Sequence, residues 1–281
     1  MPSLLRAPCL VATDLDGTLL RSDGTVSPRT RAALLAAERA GIEVVFVTAR
    51  PPRWLHDVRE VVGRHGVAIC ANGAAVVDVR ADVVLAERAM DRGVVSGLVA
   101  RVRDRLPGTR FAVEHRAGIL AEQGFVGPHP LPAGAPVVDA LETALDDATY
   151  KLLARRPGED PAAFLRDVAA VLGPDAVLAD SGAVGLAEVT GPGVTKASTL
   201  ATWAGQRGLG PDDVWAFGDA PNDLPMLAWA GVSFAVGNAH PDVAGAASRR
   251  CGTNDDDGVA EQLEGALGLL DDAPEQVRPA R

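Results

Sequence analysis

Residues 9 to 20 read CLVATDLDGTLL, an apolar run of strand length that stops on two carboxylates two residues apart, with Gly-Thr directly behind them. Side chains at i and i+2 of a strand share a face, so Asp14 and Asp16 are expected to crowd one spot where the strand gives out. Like charges that close repel. Burial would then push one of their pKa values up unless a cation sits between them, which makes the pair an expected magnesium site. Asp-x-Asp also serves as ordinary turn chemistry, so the rest of the chain has to decide between the two.

Strand and helix signals alternate on either side of a different middle. Ser27-Pro28 opens a helix that Gly41 closes, and Ile42 to Val47 is a buried strand ending on Thr48. A second helix is expected from Trp54, Leu55, Val58, Val61 and Val62, followed by a strand from Val67 to Ala71 that ends on Asn72-Gly73. Late in the chain, Thr195 caps a helix that Gly208 ends, Val214 to Gly218 is a strand ending on Asp219, and a helix at Leu224 to Ala230 and a strand at Val232 to Val236 follow. A last helix spans Gly258 to about Leu270, and the final residues read as a frayed tail. Strands joined by helices imply a parallel sheet covered on both faces. The fold class is therefore α/β, with a Rossmann-like parallel-sheet core in two parts, residues 1–84 and 188–281, around an inserted α/β cap at 85–187. Within that insert, Phe111 to His115, Tyr150 to Arg155 and Val177 to Asp180 read as strands, Asp91 to Leu106 and Asp160 to Leu172 as helices, and Pro and Gly cluster at 127 to 136.

A formal charge of −10 argues against nucleic-acid binding. The three cysteines, Cys9, Cys70 and Cys251, lack the spacing of a zinc site or disulfide framework. No leader and no membrane-length apolar run is evident, so a cytoplasmic protein, monomer or homodimer, is expected. Among 27 basic residues only Lys151 and Lys196 are lysines, which singles both out.

In open parallel sheets, ligands bind beyond the carboxyl ends of the strands, where Asp14, Thr48, Asn72 and Asp219 should converge. Five motifs, DLDGTLL at 14–20, VTAR at 47–50, CANGA at 70–74, GVTK at 193–196 and GDAPNDLPML at 218–227, together resemble the haloacid dehalogenase superfamily of phosphohydrolases, in its Cof-like branch with a C2-type cap. The resemblance implies a magnesium-dependent phosphatase acting on a small phosphorylated metabolite, a sugar phosphate or similar phosphomonoester. In it Asp14 is the nucleophile that forms an aspartyl phosphate, Asp16 the acid and base, Thr48 the phosphate-binding hydroxyl and Lys196 the balancing cation. Asp219 holds the metal with Asp14 and the backbone carbonyl of Asp16, Asp223 holds it directly or through water, and Asn222 orients the loop. Arg50, Asn72 and Gly73 complete the phosphate side. Glu114, His115 and Arg116 in the cap, with Lys151 and Glu188, are candidates to face the leaving group. A phosphomannomutase-like phosphomutase and a phosphometabolite-binding protein without turnover are the alternatives.

Overall fold

The computed structural model describes residues 5–59, 66–146 and 148–271. Val61, Val62 and the tail beyond Asp271 lie outside these. The larger sheet takes strands β1 (Leu10–Thr13), β2 (Glu43–Val47), β3 (Val67–Cys70), β4 (Ala75–Asp78) and β5 (Val83–Glu87) from the first part of the chain. A smaller sheet follows with β6 (Arg110–His115), β7 (Gly118–Glu122), β8 (Val137–Val138), β9 (Thr149–Arg155), β10 (Val177–Ala179) and β11 (Ala187–Thr190). The chain then returns to the larger sheet through β12 (Val214–Gly218), β13 (Val232–Ala235) and β14 (Arg249–Arg250). Strand order is β14-β13-β12-β1-β2-β3-β4-β5 in the larger sheet and β10-β11-β9-β6-β7-β8 in the smaller.

From β14 to β3 the larger sheet is parallel, as the strand and helix alternation implies. Strands β4 and β5 depart from that expectation: they form a hairpin running antiparallel at each step, and they separate β3 from the insert. The Asp78 carboxylate accepts from Arg80 N and Ala81 N at 2.9 and 2.8 Å, an Asx turn that reverses the chain. The chain leaves the larger sheet after Glu87 and the smaller after Thr190, rather than at 84 and 187.

Helices α1 (Pro28–Arg39), α4 (Lys196–Gly205), α5 (Leu224–Trp229), α6 (Pro241–Ala246) and α7 (Gly258–Asp271) flank the larger sheet, while α2 (Arg92–Arg105) and α3 (Pro161–Leu172) cover one face of the smaller. Local chemistry starts them where the sequence indicates: the Ser27 hydroxyl accepts from Thr30 N at 3.0 Å, and Thr195 and Ser198 form a reciprocal capping box. Within the described residues, the expected helix after Thr48 is a 3-10 segment, Pro52–Val58. Alternate side chains of the buried strands pack on opposite faces, Val11 and Phe217 on one, Leu10 and Ala216 on the other. Among the described residues no helix is long and apolar enough to cross a membrane.

Candidate active site

The carboxyl ends of β1, β2 and β12 deliver Asp14, Thr48 and Asp219 to one edge of the larger sheet, and the first residue of α4 delivers Lys196. Asp14 is 4 % exposed, Lys196 2 % and Asp223 0 %. The Lys196 ammonium donates to Asp14 Oδ1 at 2.6 Å and to Asp223 Oδ1 at 2.7 Å. The other Asp223 oxygen accepts from Asp219 N and Ala220 N, both at 3.1 Å, which fixes the short turn after β12. The Thr18 hydroxyl donates to Asp219 at 2.6 Å. A carboxylate oxygen from each of Asp14, Asp219 and Asp223 lies within 4.8 Å of the others.

Electrostatically this cluster is short of positive charge. Burial pushes Asp14 well above the ordinary carboxylate range; Lys196 opposes the rise, and Asp223 and Asp219 add to it. Burial likewise pushes Asp219 up to about 6, with the Thr18 hydroxyl working against the shift. One ammonium facing three carboxylates leaves an uncompensated acidic nest of hard oxygen donors, the chemistry that suits a small divalent cation.

Asp16 sits apart from that nest. Its carboxylate takes both nitrogens of a bidentate pair from Arg50, each at 2.7 Å, at the mouth of the cleft. Thr48 accepts from Arg50 N at 3.0 Å and is 1 % exposed.

Asn72 does not line the cleft. It is buried behind it, donating to Glu188 at 2.8 Å and accepting from Asn222 at 3.0 Å. Ala71, Asn72 and Gly73 carry successive φ values of 49°, 58° and 109°, a strained reversal that aims the Asn72 amide at the insert. A Cβ on Gly73 would stand 2.3 Å from Thr195 O at the start of α4, so this glycine's part is close approach rather than ligand contact. Gly73→Ala is therefore expected to destabilise the fold by roughly 2–5 kcal/mol, read as a lowered melting temperature, and to displace Lys196 with it. An unchanged melting temperature would refute this account.

The sheet of the insert faces the cleft with Lys151 and Glu188, 5 % and 4 % exposed. Lys151 donates to Glu188 at 2.8 Å and to Ala49 O at 2.9 Å, and Ser181 donates to the second Glu188 oxygen at 2.7 Å. Arg53 forks onto Glu114 at 2.9 and 2.6 Å. Thus both lysines are buried in ion pairs, and Glu114 ties the insert's sheet to the 3-10 segment after β2. His115 and Arg116 are placed elsewhere: His115 meets Asp146 at 3.1 Å, Arg116 pairs with Glu87, and neither lines the cleft. His115 is still paired within β6 but, as the strand neighbour of Glu114, falls on the opposite face, and Arg116 lies in the turn beyond the strand. Thr18 and Arg53 carry no local sequence signal because their partners lie 201 and 61 residues away, while Ser181 meets Glu188 only seven residues on, across the connection from β10 to β11.

Residues 11–263 match the model of the haloacid dehalogenase-like hydrolases. The pyridoxal phosphate phosphatase YbhA of Escherichia coli K12 is 28 % identical over 264 residues, covering 90 % of this chain and 96 % of that protein. The 5-amino-6-(5-phospho-D-ribitylamino)uracil phosphatase YitU of Bacillus subtilis 168 is 29 % identical over 276 residues, covering 93 % and 98 %. Among solved structures, BT1666 of Bacteroides thetaiotaomicron, a phosphatase of the same superfamily, superposes with a TM-score of 0.79 at 25 % identity, covering 96 % of this chain and 98 % of that one. A two-sheet fold with its acidic nest at the carboxyl edge, and a family match across nearly all of that fold, lead to one conclusion: the chain belongs to the haloacid dehalogenase-like hydrolases, in their Cof-like branch.

Proposed function

We propose that this phosphatase is magnesium-dependent, takes a small phosphomonoester, and works through an aspartyl phosphate on Asp14, with residues 88–190 as the cap. The observation that carries the reading is Lys196 held between Asp14 and Asp223, with Asp219 alongside. Asp14, Asp219 and Asp223 would hold the metal, together with the Asp16 carbonyl that the family resemblance implies. When bound, the ion supplies the positive charge that lets a carboxylate approach a phosphate dianion.

Asp14 presents one oxygen to Lys196 and keeps the other for attack on phosphorus. Lys196 neutralises charge on the nucleophile and then on the transferring oxygens. Thr48 offers its hydroxyl to a phosphoryl oxygen. Asp16, at the mouth where the leaving group sits, is to give a proton to the departing oxygen and later take one from water; its bidentate pair with Arg50 favours the ionised carboxylate, so the proton-donating step requires Asp16 to part from Arg50.

Phosphate release by protein stripped with EDTA is expected to fall on the order of 100-fold or more and to return on adding magnesium. Equal rates with and without metal would sink the proposal. Turnover only in the presence of a sugar bisphosphate, with an isomeric product, would reveal a mutase instead.

A further inference from the structure

The insert's sheet has one face under α2 and α3, and its other face carries an apolar cluster beside Glu114, Lys151 and Glu188: Ile119, Phe125, Leu153 and Leu186, with Leu131 packed against it. An antiparallel sheet facing water on its second side would alternate with polar residues there. These five side chains, with Trp54 from the core side, instead line the same cleft as Asp14, Asp16 and Thr48. The cleft, which reaches from Asp14 and Lys196 to these side chains, has a volume of about 170 Å³, which bounds the phosphoryl group and the leaving group together. The Pro and Gly cluster noted in the sequence closes it from above, bringing His129 edge-on to Trp54 with ring centroids 4.8 Å apart.

Its charged walls are already engaged, while Asn222 Oδ1, buried at the same cleft, has no hydrogen-bond partner among the described residues. Glu114 is taken by Arg53, Glu188 by Lys151, Asn72 and Ser181, and Asp16 by Arg50. Beyond the single acceptor at Asn222, a polyol entering here would have to break into those pairs or leave hydroxyls without partners. A flat apolar ring needs neither.

Resting on the phosphatase reading above, we infer that the leaving group this cleft accepts is a compact aromatic or heteroaromatic ring carried on a short alcohol, and not a sugar. The test compares benzyl phosphate with glucose 6-phosphate, both of which release a primary alkoxide, in the metal-loaded enzyme. The kcat/KM for benzyl phosphate should be at least tenfold higher, and Leu131→Asn or Trp54→Ala should bring the two within threefold. In parallel, calorimetry should show benzylphosphonate, which cannot be turned over, binding at least tenfold tighter than methylphosphonate, with a negative heat-capacity change. Turnover without ring preference in either measurement overturns this inference and leaves the phosphatase reading standing. Ring-dependent binding with no turnover of any phosphoester does the reverse, and neither turnover nor binding overturns both.

Discussion

Asp14→Asn is expected to cut phosphate release on the order of 10⁴-fold or more, since removing a nucleophile leaves only binding and electrostatics behind. The same substitution should leave the metal-free protein as stable as before, or more so. Burial works against the Asp14 charge, and the neighbouring Asp223 and Asp219 add to that penalty even with Lys196 in contact. A neutral amide removes one of three crowded carboxylates while Lys196 keeps Asp223 as its partner at 2.7 Å. Thermal melting in EDTA beside a phosphate-release assay separates the two effects. Retained turnover would remove Asp14 from the mechanism, and a large loss of melting temperature would mean that its charge is structural.

Lys151→Met is expected to have the largest effect on stability. It leaves the Glu188 carboxylate buried with only Ser181 and Asn72 for company, and breaking one half of a buried pair costs about 3–5 kcal/mol. For a chain of this size that corresponds to a drop on the order of 10 °C in melting temperature. Combining it with Glu188→Leu should cost less than the sum of the two single changes, because the orphaned charge goes with its partner.

The pH dependence follows from the same pair. Burial works against the Glu188 charge, but Lys151, Ser181 and Asn72 outweigh it and hold the carboxyl below its ordinary 4.5. A depressed carboxylate stabilises the fold fully above about pH 4.5, and that contribution is lost as pH falls through the lower folded value. In Lys151→Met burial prevails, the folded value rises, and the variant should instead gain stability as pH drops toward 5. Melting temperatures of both proteins across this range decide the matter; parallel curves would refute it.

The core was legible in the sequence because each of its elements carries its own local signal. Ser27-Pro28 and Thr195 cap their helices, and the apolar runs at 10–13 and 214–218 end on the carboxylates they deliver. Strand ends on one edge of a parallel sheet must meet, so the gathering of Asp14, Thr48 and Asp219 followed from topology. The hairpin of β4 and β5 was missed because a parallel pattern hides a reversal that one Asx turn produces. His115 and Arg116 adjoin Glu114 in sequence, yet only Glu114 reaches the cleft, because that depends on which face of β6 a residue takes and where the turn falls. The partners of Lys151, Arg53 and Asn72 lie 37, 61 and 116 residues away, separations at which no spacing rule operates.

The contacts from Lys151 to Ala49, Asn72 to Glu188 and Arg53 to Glu114 also limit how this architecture can be recombined. A chimaera that received a foreign insert in place of residues 88–190 would strand the Asn72 amide and the Arg53 guanidinium, while the excised piece would carry Lys151 away from its carbonyl. Exchange of inserts therefore has to move matched anchor sets on both sides of the seam.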